Sequence, residues 1–422
     1  MKKPAIVVGI ELGPREFIAA AGEILPDGRL ILRAVESVPA QGFEKEGLSD
    51  PIECADVIAR LVRQMERGLS TRITRAAAAF PTGYLRSLNA SATVPIPDPS
   101  GGISRQDVER VVGTCKTLSL DYDRQILHAF ERGFSVDGQS GVRNPVGLSG
   151  KKLSVELHLV TAPSLAVQNF TRVLSRAGLE VEGLAMPALG AADAVLPGLD
   201  RDLGVTLVRI GDFQTEVLLF ENGDVRETFL IPGGAEDLLE TLSRSLKLPR
   251  VSAEFLLEQV RTVEEVPAPV AADGAAAVTD GRPDWTSVPL RVGPGAAVRT
   301  FPQGQVVQLI RGRAKDLMSR VQRRLIASPL FLDSASGVVV VGHMSRFDGF
   351  LEMAEGMLNM PVRLGTVKGM ELSPGVALRP QDLTAVGLLR YGARRRPAAA
   401  SLNANPWLRP FEKVQKILQE YF

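Results

Sequence analysis

Apolar residues 5–11 form a β-rich run, Gly13-Pro14 turns the chain, and residues 16–24 read as a return strand. Pro26-Asp27-Gly28 makes a second turn before a third strand over 30–38. The same order recurs far downstream: a strand over 205–210, a turn at Gly211, a strand over 215–220, a turn at Asn222-Gly223 and a strand over 225–231. Asn and Gly both tolerate the positive φ that a tight hairpin needs. The turn glycines, Gly13 and Gly211, lie 198 residues apart, and the second turns are offset by nearly the same distance. The repeat predicts a duplicated α/β architecture facing a cleft. Two unrelated hairpins are the alternative this pattern leaves open.

Helical spacing fills the stretches between. Residues 52–68 place Ile52, Val57, Ile58, Leu61, Val62 and Met65 on one broad face. Residues 103–118 open at Ser104 with Asp107 three positions on, a capping-box variant. Residues 164–178 start at a Ser cap and stop at Gly178, a residue suited to the left-handed conformation. Strands across 120–160 surround a Gly-rich turn near 138–150, so 84–163 reads as a small α+β insertion. Residues 265–285 are rich in Ala, Pro and Gly and read as a mobile loop. A long amphipathic helix follows over 308–325, and 337–358 read as buried strand, turn and helix. The valine run in that strand suits a parallel sheet covered on both faces.

The chain has 422 residues, enough for two to four domains, with 45% hydrophobic and 23% charged residues. A formal charge of +1 offers no global field for nucleic acid. Cys54 and Cys115 give no disulfide framework, and His128, His158 and His343 have no metal-ligand spacing. No apolar run reaches the roughly 20 residues of a spanning helix, and Glu11 and Gly13 break the N-terminal run that a signal peptide would need. A buried first strand is the expectation there. VGLSGKK (146–152) misses the spacing of a phosphate loop and is expected as a hairpin turn. No nucleophile elbow, Cys-His pair or zinc-protease helix occurs.

The string that opens DRQILHAFERGF at Asp123 and runs to Leu196 resembles the bacterial cell-division family FtsA, above all in AGLEVEGLAMPALGAADAVL (177–196). The resemblance covers essentially the whole chain. It implies an actin-like, ribonuclease H-like duplicated α/β fold with an inserted small α+β subdomain and a C-terminal amphipathic helix. It implies these divisions: a first core subdomain (1A) of 1–83 and 164–198, the SHS2-like insert (1C) of 84–163, and a second core subdomain (2A) of 199–247 and 326–392. Subdomain 2B of 248–325, a linker over 393–405 and a membrane-targeting helix over 406–422 complete the chain.

In that family ATP and magnesium sit between the halves, and the matching positions here are altered. The first phosphate loop, Asp-Ile-Gly-Thr/Ser-x-Lys in the family, corresponds to Glu11-Leu12-Gly13-Pro14-Arg15-Glu16. Pro14 removes a hydroxyl and an N–H donor, and Glu16 brings negative charge where a Lys often stands. The second loop corresponds to Arg209 through Glu216, keeping Gly211 and Thr215 and placing Phe213 where a Gly would admit a phosphate. Gly342 survives in the adenosine turn, Gly233 and Gly234 survive before a helix, and Glu254-Phe255-Leu256-Leu257 replaces Glu-x-x-Lys. Arg209 has two readings: a salt bridge to Glu11 or a direct contact to phosphate. The resemblance therefore implies a degenerate ATP cleft of Glu11, Gly13, Arg209, Gly211, Thr215, Gly233, Gly234, Glu254 and Gly342, with no catalytic residue assigned and weak or absent ATPase activity.

At the C-terminus, PWLRPFEKVQKILQEYF (406–422) sets Phe411, Val414, Leu418 and Tyr421 or Phe422 on one helical face, with Ile417 beside them and Trp407 and Leu408 upstream. A tether reaching roughly 20 Å precedes it. The three arginines 394–396 would add attraction to anionic lipid if they sit at its surface. A terminal helix docked on its own domain is the plainer alternative. The family implies a filament-forming scaffold on the cytoplasmic side of the bacterial cell membrane at the division septum. Its partners would be the FtsZ C-terminal tail, other divisome proteins, further copies of itself and anionic lipid. An active actin-superfamily ATPase and a PilM-like pilus scaffold are the competing readings.

Overall fold

The computed structural model describes residues 5–45, 47–260, 287–291 and 298–395. The mobile loop expected over 265–285 and the membrane-helix residues from Trp407 to Phe422 lie outside them. In chain order come β1 (Ala5–Leu12), β2 (Glu16–Ile24), β3 (Leu30–Pro39), the two-residue strands β4 (Phe43–Glu44) and β5 (Gly47–Leu48), α1 (Pro51–Leu69) and β6 (Arg75–Ala79). The insert follows with β7 (Arg86–Pro95), α2 (Arg105–Leu118), β8 (Arg124–Val136), β9 (Gln139–Val142) and β10 (Lys152–Pro163). Then come α3 (Ser164–Arg176), β11 (Glu180–Ala185), α4 (Pro187–Val195), α5 (Gly198–Leu203), β12 (Val205–Ile210), β13 (Gln214–Glu221) and β14 (Asp224–Pro232). The remainder is α6 (Ala235–Leu246), α7 (Arg250–Gln259), β15 (Ser287–Arg291), β16 (Val298–Pro302), α8 (Gln303–Ile326), α9 (Pro329–Leu332), β17 (Val338–Gly342), α10 (Phe350–Leu358), β18 (Val362–Leu364), β19 (Glu371–Leu372) and α11 (Leu383–Arg395).

One sheet has the order β11-β6-β1-β2-β3-β19 and another β14-β13-β12-β17-β18. Each joins an antiparallel meander to two parallel strands: β1 pairs with β6 and β6 with β11, and β12 pairs with β17 and β17 with β18. The duplication read from the turn spacing is thus present as a shared strand order. The chain divides into two compact units, one of residues up to Gly204, Leu218–Leu230 and those from Thr366, the other of Val205–Val217 and Ile231–Gly365.

In the first unit small residues decide the packing. Gly9 on β1 faces α11 so closely that a Cβ would collide with Ala385 O and Leu388 Cβ. Gly387 meets Gly190 of α4 in the same way, and Ala77, Ala79 and Ala185 form the bed for Leu388. Ala76 and Ala78 point to the other face of β6 and are equally buried, under the layer that contains α1 and α3. Asp50 caps α1 by accepting from the Ile52 and Glu53 amides.

The insert is the sheet β7-β10-β8-β9 backed by α2. Ser104 and Asp107 form the full reciprocal capping box at the start of α2, which satisfies two otherwise orphaned donors. Two local expectations differ. VGLSGKK is no hairpin turn, because β9 pairs with β8 and not with β10, so the stretch crosses over between unpaired strands. Ser164 does not cap α3; the cap position is Pro163 and the Ser164 amide donates to Asp123 O.

In the second unit every residue of β17 is buried between two parallel neighbours, as a continuous valine run requires. The long α8 buries Val306, Val307, Ile310, Leu317, Met318 and Val321 and packs on α6 and α10.

Candidate functional site

The turn between β12 and β13 gathers most of the predicted residues in the second unit. Arg209 near the end of β12 donates from Nη1 to Glu216 Oε2 at 2.8 Å, and the Glu216 side chain is fully buried. Gly211 closes the turn through its amide to Gln214 O at 3.0 Å, and a Cβ there would sit 2.9 Å from the Arg209 guanidinium. Thr215 Oγ1 donates to Gly233 O at 2.9 Å. The Gly233 amide returns to Phe213 O at 2.8 Å, with Gly233 at φ +113°.

Gly234 then caps α6 with no room for a side chain, since a Cβ would strike Gly211 O and Asp212 O. The first amides of α6 are used on the same turn: Ala235 N donates to Gly211 O and Glu236 N to Asp212 O. Gly342, at φ +98°, packs its Cα against Ile210 O, and His343 Nε2 lies 3.4 Å from Asp212 Oδ1. Glu254 stands one step away on α7, bonded to Arg250, whose Nη2 also reaches Glu236 Oε2 at 2.8 Å. Arg209, Gly211, Thr215, Gly233, Gly234 and Gly342 therefore form one cluster, with Glu254 tied to it through Arg250.

In the first unit Glu11 lies near the end of β1, buried, opposite Ile18 of β2 and beside Ala79 of β6. The Gly13 amide closes the hairpin onto Glu16 O at 3.1 Å. Glu16, the acid that replaces a family lysine, is paired with Arg379 at 3.1 Å, and Arg379 also grips Asp382 at 2.7 Å. Among the described residues no group of three or more His, Cys, Asp or Glu side chains could hold a metal ion.

A family model described as the SHS2 domain inserted in FtsA matches residues 82–161, the stretch that contains the insert sheet and α2. The cell division protein FtsA of Pseudomonas aeruginosa is 28% identical over 400 residues, covering 95% of this chain and 92% of that protein. The chain is similar to FtsA proteins along nearly its whole length, insert included. Solved structures agree on an actin-like fold. PilM in a PilM–PilN type IV pilus biogenesis complex superposes with TM-score 0.61 at 14% identity, covering 92% of this chain and 98% of PilM. MreB5 of Spiroplasma citri bound to ADP gives 0.51 at 9% identity, covering 94% and 98%. At such identities both show the fold alone.

Motif comparison did not point to a second polar centre in this FtsA-like chain. Asp193 on α4 is buried and accepts from Arg201 of α5 at 2.9 Å and from Arg394 of α11, while Arg390 donates to its backbone carbonyl at 2.7 Å. Burial alone would raise this carboxyl, but Arg394 and Arg201 hold it below the usual carboxylate range. The available signal is local: Asp193 is the single charged residue in an otherwise apolar helix. Beside it, His128 Nε2 accepts from the Met186 amide at 3.0 Å, and burial pushes that imidazole down to about 3. Tyr391 donates to Leu184 O, and the Arg395 guanidinium stacks on the Tyr391 ring at 4.6 Å.

Proposed function

We propose that this chain is an FtsA-type scaffold that polymerises on the cytoplasmic face of the bacterial cell membrane and ties the FtsZ C-terminal tail to it at the division septum. The observation that carries the reading is the match to FtsA relatives along nearly the whole of both chains, insert included. The tail pattern from Trp407 to Phe422 supplies the membrane contact. No helix among the described residues is long and apolar enough to cross a membrane. An interfacial helix whose charges nearly cancel depends on apolar burial to a depth of about 5–10 Å. Many weak helices on one filament gain avidity.

We read the nucleotide cleft as degenerate. Gly234 and Gly342 lack side chains because backbone carbonyls fill those positions, and the leading amides of α6 already have acceptors. Glu236 and Asp237 place carboxylates in the first turn of α6, where a phosphate would meet repulsion. Arg209 is engaged by Glu216. These residues do not fit a magnesium triphosphate, so the scaffold role is derived without one.

The test is co-sedimentation of the full chain, and of a chain lacking 406–422, with bacterial-lipid vesicles, each with and without FtsZ. The full chain should pellet with the vesicles and bring down FtsZ but not tailless FtsZ; the truncation should stay in solution. Equal pelleting of the truncation overturns the proposal.

A further inference from the structure

The arginines that the sequence offered for lipid contact are not all available for it. Arg394 is bonded to Asp193 and Arg395 is stacked on Tyr391, so two of the three serve the fold. The tail from 406 carries three basic and two acidic residues and contributes little charge of its own. A single amphipathic segment binds marginally, and stable anchoring generally needs a second signal.

The first unit holds a matching surface. Helices α1 and α3 pack side by side, and each leads through a short turn into β6 and β11. Those strands are parallel, with Arg75 opposite Glu180, so both helices run in the same direction and end at the same edge. Their buried faces hold Leu61, Val62 and Met65 on α1 and Val173 and Leu174 on α3. Exposed on the outside are Arg63 and Arg67, one turn apart on α1, and Arg172 and Arg176, one turn apart on α3. Arg72 and Arg75 are exposed at the adjoining edge.

Two carboxylates are nearby. Glu66 accepts from the Ile73 amide at 2.7 Å and Glu180 bridges to Arg75 at 2.8 Å. Glu53 and Asp56 sit at the opposite end of α1. Six arginines against two carboxylates leave a surplus of positive charge. The two helix carboxyl ends, each worth roughly half a negative charge, offset only part of it.

The tail leaves the fold from the opposite face of the same sheet, near its edge strand β11. Arg395 lies against Gly183 of β11, where a Cβ would be 2.8 Å from its Nη1. That point is three residues from Glu180, about 10 Å along the strand. Ten residues, 396–405, separate that point from the tail pattern that begins at 406.

We propose that the outer face of the α1–α3 pair is a second membrane contact, an arginine bed for anionic phospholipid headgroups across the sheet from the helix that leads into the C-terminal tail. The proposal rests on the membrane reading above. The tail supplies apolar insertion and the arginines supply lipid selectivity. Each arginine near an anionic surface is worth about fivefold in binding.

The test uses the full chain on phosphatidylcholine vesicles with and without phosphatidylglycerol, and on polyglutamate beads in parallel. A variant combining Arg63→Gln, Arg67→Gln, Arg172→Gln and Arg176→Gln should bind neutral vesicles like the parent and lose about tenfold or more on anionic ones. The matching four-lysine variant should keep the anionic preference. About 0.5 M NaCl should abolish that preference in the parent by screening, whatever the folding of any variant. Parent-like binding of a folded glutamine variant to anionic vesicles overturns the inference and leaves the membrane reading intact. Loss of polyglutamate capture alone, with vesicle binding unchanged, assigns the face to an acidic peptide and likewise overturns it. Vesicle binding undiminished by deletion of 406–422 removes the reading on which it rests.

Discussion

Glu131 on β8 is half-buried, and burial, followed by the Asp224 carboxylate, pushes it up to about 7 against the pull of Lys116. A carboxyl that holds its proton longer in the folded chain than in the unfolded one contributes stability at low pH. That contribution is full below about 4.5 and is lost as pH rises through about 7. Glu131→Gln should therefore raise the melting temperature at pH 8 and change it little at pH 5, a difference readable by circular dichroism. An equal effect at both values would contradict the assignment. Arg226 docks β14 on the backbone carbonyls of Glu131 and Arg132, so the substitution leaves that contact in place. Arg209 shows where motif reading stops at this scale. The aligned motif names both Arg209 and Glu216, but the partner across a hairpin depends on strand register, which a motif does not carry.

Among elements, α11 shows how tertiary contacts set an element's length. The sequence reading places a linker from 393, just after Gly392. The helix runs to Arg395 instead, because Asp193 binds Arg394 and the Tyr391 ring carries Arg395. Asp193→Ala should cost about 3 kcal/mol in urea unfolding, since it removes a buried carboxylate that pairs the half-buried Arg201 guanidinium. The same variant should be cut faster by trypsin at the end of α11. A cost below about 0.5 kcal/mol, the range of ordinary surface changes, would show that the cluster is not structural.

For the whole molecule, a ligand at a hundred times its dissociation constant stabilises a folded protein by about 2.7 kcal/mol. Millimolar magnesium-ATP should leave the melting temperature of this chain unchanged. A rise of several degrees would restore the nucleotide cleft as a working site.

Hydrophobic periodicity alone predicts the two meanders, the long helices and their buried faces, because the alternation of apolar and polar residues follows directly from strand and helix geometry. The actin-like fold comes through the resemblance to FtsA, while Gly211 and Asn222-Gly223 mark their turns from sequence alone, since such residues tolerate tight turns wherever they lie. The partner of Arg209, the crossover at 146–152, the length of α11 and the arginine face of α1 and α3 emerge only in three dimensions. Each depends on which distant segments meet, and the local pattern of a chain carries no record of that.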